Sequence, residues 1–150
     1  MRKILFVTIL FIGVLTLSAG AQILTPVHWS YAAKKINDRE AVIFMRASIE
    51  DNWHLYAQYV KEGGPVKTTF TFNRPAGYDL NGPTTEPTPF TRYEKVFNME
   101  VSFFEHEVVF QQKIKLRANN IVVKGKVTFM TCNDKQCLPP EEVTFSIPVK

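Results

Sequence analysis

Cys132 and Cys137 are the only cysteines of this 150-residue chain, and four residues, Asn133 to Gln136, separate them. A disulfide between them closes a very small ring. In the chain-entropy model such a ring contributes only ~2 kcal/mol, against ~4.7 kcal/mol for a loop of about a hundred residues. The pair is a weak staple but is well placed to open and close by thiol–disulfide exchange. The opposing reading is a permanent clip across a hairpin, the usual service of disulfides in exported proteins. Spacing alone leaves both open. A third chemistry draws on soft ligands: Met130, Cys132, Cys137 and one histidine would suit Cu(I). A structural zinc site wants four ligands, and His28, His54 and His106 have no paired ligand spacing. Zinc is therefore disfavoured, no cofactor or metal ligand is assigned, and Cu(I) stays open as an alternative.

The segments that must position the cysteines read as strands. Val66, Thr68, Phe70 and Phe72 alternate with polar residues, as do Val108, Phe110, Ile114 and Leu116, and Val143, Phe145, Ile147 and Val149. This period of two signals half-buried antiparallel strands. Strands are expected near 27–36, 40–50, 54–60, 66–73, 99–104, 107–117, 121–131 and 142–149. No window has the period of an amphipathic helix. Short strands parted by turn signals point to an all-β chain, an immunoglobulin-like β-sandwich of antiparallel strands. Residues 74–98, rich in proline and glycine, read as one long connection. Its Phe90, Tyr93 and Phe97 argue that it packs on something rather than being disordered.

Parity along 121–131 puts Val123, Val127 and Phe129 on the core side. Cys132 then shares the outer face with Lys124, Lys126, Thr128 and Met130. Asn133 to Gln136 forms a polar turn, and Pro139 and Pro140 stiffen the exit. The expected picture is a hairpin clipped at its base by a disulfide that is reachable from outside unless something covers it.

The N-terminus suggests a compartment. Arg2 and Lys3 precede a mostly apolar run from Ile4 to Leu17, and Ser18-Ala19-Gly20-Ala21 offers a small-residue cleavage pattern. Together these read as a secretory signal peptide over 1–21, with one domain over 22–150. The apolar run falls short of the ~20 residues that span a bilayer, and no later segment is long and apolar enough, so no stable membrane insertion is expected after cleavage. Losing Arg2 and Lys3 lowers the formal charge of +4 by two. Lys113, Lys115, Arg117, Lys124 and Lys126 are only loosely grouped, as on a solvated strand face, and nucleic acid is not an expected partner.

Three stretches carry a resemblance to a known family. They are Val27-His28-Trp29-Ser30 with Ile49 to Tyr56; Phe97-Asn98-Met99-Glu100-Val101-Ser102-Phe103-Phe104-Glu105; and Val127 to Cys132 continuing through Cys137-Leu138-Pro139-Pro140-Glu141. Across essentially the whole of 22–150 the chain resembles the N-terminal periplasmic domain of the DsbD family, the thiol:disulfide interchange proteins. The resemblance implies an immunoglobulin-like fold and a periplasmic location. It implies relay of reducing equivalents from a membrane electron donor to thioredoxin-like envelope proteins, as one component of a protein-disulfide reductase. Cys132 and Cys137 would be the redox pair, Cys137 the exchanging sulfur and Cys132 the resolving one. Phe97 best matches the aromatic of the family's cap loop, and His54 and Tyr56 match aromatic positions beside the cysteines. The plainer reading of Phe97 is a core aromatic, and that of His54 a strand residue packed on Tyr56; if near the cysteines, His54 could accept a proton. The chain departs from the family pattern in three places. Around the cap aromatic, Lys95 and Val96 stand where acidic residues precede it and Asn98 where a tyrosine follows, with Glu94 out of register; His54 replaces a tyrosine; and the intercysteine spacing is shorter by one. The alternatives are a non-catalytic immunoglobulin-like binding module with a structural disulfide and a Cu(I)-handling protein.

Overall fold

The computed structural model describes residues 24–73 and 77–150; the expected signal segment lies outside them. The alternating pattern resolves into β1 (Val27–Asn37), β2 (Glu40–Ile49), β3 (Trp53–Tyr56), β4 (Thr69–Phe72), β5 (Tyr78–Leu80), β6 (Phe90–Glu94), β7 (Met99–Phe104), β8 (Glu107–Leu116), β9 (Ile121–Phe129), β10 (Thr131–Asn133) and β11 (Glu141–Val149). No helix occurs among the described residues. Pairing is antiparallel throughout these strands, in the orders β1-β2-β8-β5, β10-β3-β7-β6 and β11-β9-β4. The second and third groups meet where one run of chain passes from β9 to β10 through Met130, whose carbonyl accepts from Tyr56 N at 3.4 Å. The result is the immunoglobulin-like sandwich that the periodicity predicts.

The period of two is what fills the core. On β2, Ala41, Ile43, Met45, Ala47 and Ile49 point inward while the intervening residues do not. Trp29 of β1 lies among Phe70, Phe110 and Phe129, with ring centroids 5.8, 5.9 and 5.5 Å away, so one aromatic joins the first group of strands to the third. Large aromatic rings of this kind bury 150–250 Å² each, which makes them the main apolar contribution to such a core. Gly125 on β9 is required by close approach: a Cβ there would run into the carbonyl of Thr71 and stand 2.6 Å from Phe145 Cζ.

Residues 74–98 differ from the expectation of a single connection. They contain β5 and β6, and Gln112 and Glu86 pin what lies between. Gln112, fully buried on β8, accepts from Thr84 Oγ1 at 2.7 Å and donates to the Gly82 carbonyl at 3.0 Å. Glu86 accepts from Gln58 N at 2.9 Å. The two strands escape a pattern search because β5 has three residues and β6 is mostly solvent-exposed on both faces. The third and fourth expected strands are also shorter than read. The chain leaves β3 after Tyr56 and turns through Gly63 and Gly64 before β4.

Candidate functional site

Register across the second group of strands gathers the site. Cys132 is directly opposite His54, Tyr56 opposite Phe103, Phe103 opposite Phe90, Val101 opposite Arg92, and Met99 opposite Glu94. Directly opposed residues share a face of the sheet. Cys132, His54, Tyr56, Phe103, Arg92 and Glu94 are thereby brought onto one face, although they span residues 54 to 132. The other face sends Trp53, Leu55 and Phe104 into the main core. The hydroxyl of Thr131 donates to the His54 carbonyl at 2.8 Å, a buried bond that ties β10 to β3 at this point.

Cys132 and Cys137 are joined in a disulfide. The hairpin between them is built by Asn133, whose side-chain oxygen accepts from Lys135 N at 2.9 Å and from Gln136 N at 2.8 Å. Asn133 N donates to the Gln136 carbonyl at 2.9 Å, and Leu138 N to the Thr131 carbonyl at 3.0 Å. Asn is suited to such a turn because its short side chain can satisfy backbone donors two and three residues on.

Parity places Cys132 correctly, on the face turned away from the main core, but exposure differs from the expectation. Cys132 is only 1% exposed, while Cys137 is half-buried. A second apolar cluster covers the bond: Tyr56, Val101, Phe103 and Cys132 are buried together, with Val60, Phe97, Met99, Met130 and Cys137 packed against them. Phe97 comes from the turn between β6 and β7, closed by Phe97 N to the Glu94 carbonyl and Asn98 N to the Lys95 carbonyl. Asn98 takes the left-handed conformation there, φ 52°, which Asn tolerates better than most residues. Tyr93 Oη donates to the Asn98 side chain across the same turn.

A polar network lies on this face. His54, 3% exposed, places Nε2 3.2 Å from Tyr56 Oη and 3.4 Å from Glu94 Oε1. Arg92 Nη2 donates to the same Glu94 oxygen at 2.9 Å, and its guanidinium stacks on Phe103, 4.8 Å from the ring centre. Burial is the largest influence on His54 and lowers its pKa; Glu94 opposes this, Arg92 reinforces it, and Glu105 and Asp134 oppose it more weakly. The net direction is down, so the imidazole is neutral at pH 7 and its contact with Glu94 is a hydrogen bond rather than an ion pair. Burial also raises the Tyr56 phenol, keeping it protonated.

The structure thus brings all five residues singled out from sequence, Cys132, Cys137, Phe97, His54 and Tyr56, to one place. It adds Glu94 and Arg92, which sequence reading missed. Glu94 had a signal in its nearness to Phe97, but its partner His54 lies forty residues earlier and only strand register joins them. Among the described residues no three His, Cys, Asp or Glu side chains converge as a metal-ligand group. Also among them, no helix is long and apolar enough to cross a membrane.

Comparison with known proteins agrees with the geometry. The family model for the N-terminal part of thiol:disulfide interchange protein DsbD matches residues 21–148. A sequence comparison with curated proteins finds no match. Among solved structures, the reduced DsbD N-terminal domain of Neisseria meningitidis is 18% identical, with a TM-score of 0.54 over 85% of this chain and 90% of that one. The same domain in complex with the PilB N-terminal domain, also from Neisseria meningitidis, is 20% identical, with a TM-score of 0.56 over 83% of this chain and 87% of that one. The N-terminal periplasmic domain of ScsB from Proteus mirabilis is 16% identical, with a TM-score of 0.60; the match takes in 83% of this chain but 48% of that one.

Proposed function

The chain belongs to the family of DsbD N-terminal domains, whose common chemistry is thiol–disulfide exchange, and on that premise we propose that it relays reducing equivalents in the periplasm. In this reading residues 1–21 are a signal peptide, a membrane electron donor reduces the pair, and thioredoxin-like envelope proteins receive the electrons. The complex of a relative with the PilB N-terminal domain supports a protein partner.

The observation that carries the reading is the unequal burial of the two cysteines. Exchange runs by thiolate attack through a mixed disulfide. Cys137, half-buried, is the sulfur that a partner thiolate reaches; its attack breaks the Cys132–Cys137 bond and leaves the electron pair on Cys132. A second partner thiolate then expels Cys137, and both cysteines end as thiols while the partner becomes a disulfide. In the opposite direction Cys137 attacks a substrate disulfide, and Cys132 closes the ring or the substrate's second thiol resolves the intermediate. Phe97 acts as a lid, keeping the bond dry until a docking partner lifts the β6–β7 turn.

The test is capture. A Cys132→Ser protein expressed in an envelope-bearing host is expected to accumulate mixed disulfides from Cys137 to thioredoxin-like proteins, released by reductant. No captured partner, together with a reduction potential too low to exchange with such proteins, would leave a structural hairpin clip.

A further inference from the structure

Cys132 has a proton problem. For it to close the ring on a Cys137 mixed disulfide, its thiol must first lose a proton, yet it is 1% exposed and sealed by Tyr56, Phe103 and Phe97. Water has no direct approach. The residue facing it across the β10–β3 pair is His54, itself 3% exposed, and directly opposed residues of this kind have Cβ atoms about 4.5–5.5 Å apart. A buried histidine beside a buried nucleophile, wired to a carboxylate, is more than core packing requires.

We propose that His54 is the proton acceptor that turns the Cys132 thiol into the attacking thiolate, with Glu94, clamped by Arg92, as the residue that orients its imidazole. The Nε2 contacts with Glu94 and Tyr56 favour the tautomer protonated on Nε2, since Glu94 can only accept while ionised. That tautomer leaves Nδ1 as the free base. The charged and titratable groups around His54 are Glu94 and Arg92 from β6, Glu105 after β7, Asp134 from the cysteine hairpin, and Tyr56 on its own strand. Burial keeps the ring neutral and so able to accept at pH 7. The assignment rests on the exchange reading above and adds the identity of the base.

The experiment uses the reduced full chain and the aromatic disulfide 5,5′-dithiobis(2-nitrobenzoate), followed by stopped-flow absorbance. Cys137 thiolate attacks the reagent, releasing one thionitrobenzoate and forming a mixed disulfide. Cys132 then passes its proton to His54 and attacks the Cys137 sulfur. The protein disulfide forms, a second thionitrobenzoate leaves with its electron pair, and His54 returns the proton to solvent. The second release is expected to be fast at pH 7 and to fall as pH drops through His54 ionisation, below the ordinary histidine range. In His54→Gln it should slow about tenfold or more at pH 7 and climb only in the alkaline range where a buried thiol ionises unaided. In Glu94→Gln, which removes the influence that raises His54, the inflection should move to lower pH. The first release should stay within about twofold in both variants, which reports an intact fold. A second release with the wild-type rate and pH profile in both variants overturns the role of His54 and leaves exchange standing. A wild-type protein that yields a single equivalent overturns exchange as well.

Discussion

The ring of Phe97 stands edge-on to Tyr56, centroids 6.0 Å apart and planes at 89°, and this contact closes the outer side of the cluster that holds Cys132. Phe97 reaches it from a four-residue turn, Lys95 to Asn98, between two strands of a hairpin. Val96, next to it, points to solvent with 78% exposure. Adjacent residues on one turn thus face opposite ways, one onto the cluster that holds Cys132 and one outward.

Removing the Phe97 ring should uncover the bond. Phe97→Ala is expected to raise the rate of reduction by dithiothreitol roughly tenfold, because exchange rates depend on access to the sulfur attacked. Half-buried, the ring should cost less stability than the ~3–5 kcal/mol of a fully buried Phe→Ala change. Thiol release against time, with a urea melt of the oxidised protein alongside, reads both.

The two sulfurs should alkylate at different rates when each is left alone. In Cys132→Ser the remaining Cys137 is half-buried, whereas in Cys137→Ser the remaining Cys132 is closed from solvent. Iodoacetamide should modify the first about tenfold or more faster than the second at pH 8, since reactivity follows exposure as well as thiolate content. Mass spectrometry of quenched time points gives the ratio. Equal rates would contradict the division into an exchanging and a resolving sulfur.

Stability should fall on mild acidification. The folded state holds the His54 pKa below its unfolded value of ~6.5. Between those two values the unfolded chain binds more protons, so unfolding becomes easier as pH falls. The His54 contribution is complete above the unfolded value and is lost as pH drops through ~6.5 toward the folded one. Glu86, raised by burial, works in the opposite sense at lower pH. Subtracting urea midpoints of His54→Gln from wild type at pH 7.5, 6.5 and 5.5 isolates the histidine, and the difference should shrink or reverse with acidification.

Gly125→Ala tests the close approach of β9 to its neighbours. A methyl group there meets the Thr71 backbone and the Phe145 ring, and overpacking of this kind costs about 1–3 kcal/mol. The urea midpoint should drop accordingly. Reduction of the disulfide by dithiothreitol should be unchanged, because Gly125 lies on β9 outside the cysteine cluster.

Local chemistry already contained the all-β character, most strand positions and the outward-facing parity of Cys132. Alternation along a strand is a property of the backbone, since successive side chains point to opposite faces wherever that strand lies. The hairpin at Asn133 was legible for a similar reason: its partners are neighbours in the chain. Burial of the disulfide was not legible, because the residues that cover it, Tyr56, Phe97 and Phe103, arrive from β3, the β6–β7 turn and β7. Nor was the meeting of His54 with Glu94. It depends on the register that carries β10 against β3, β3 against β7 and β7 against β6. Such register is set by long-range pairing, and a shift of one residue would turn every one of these side chains to the other face.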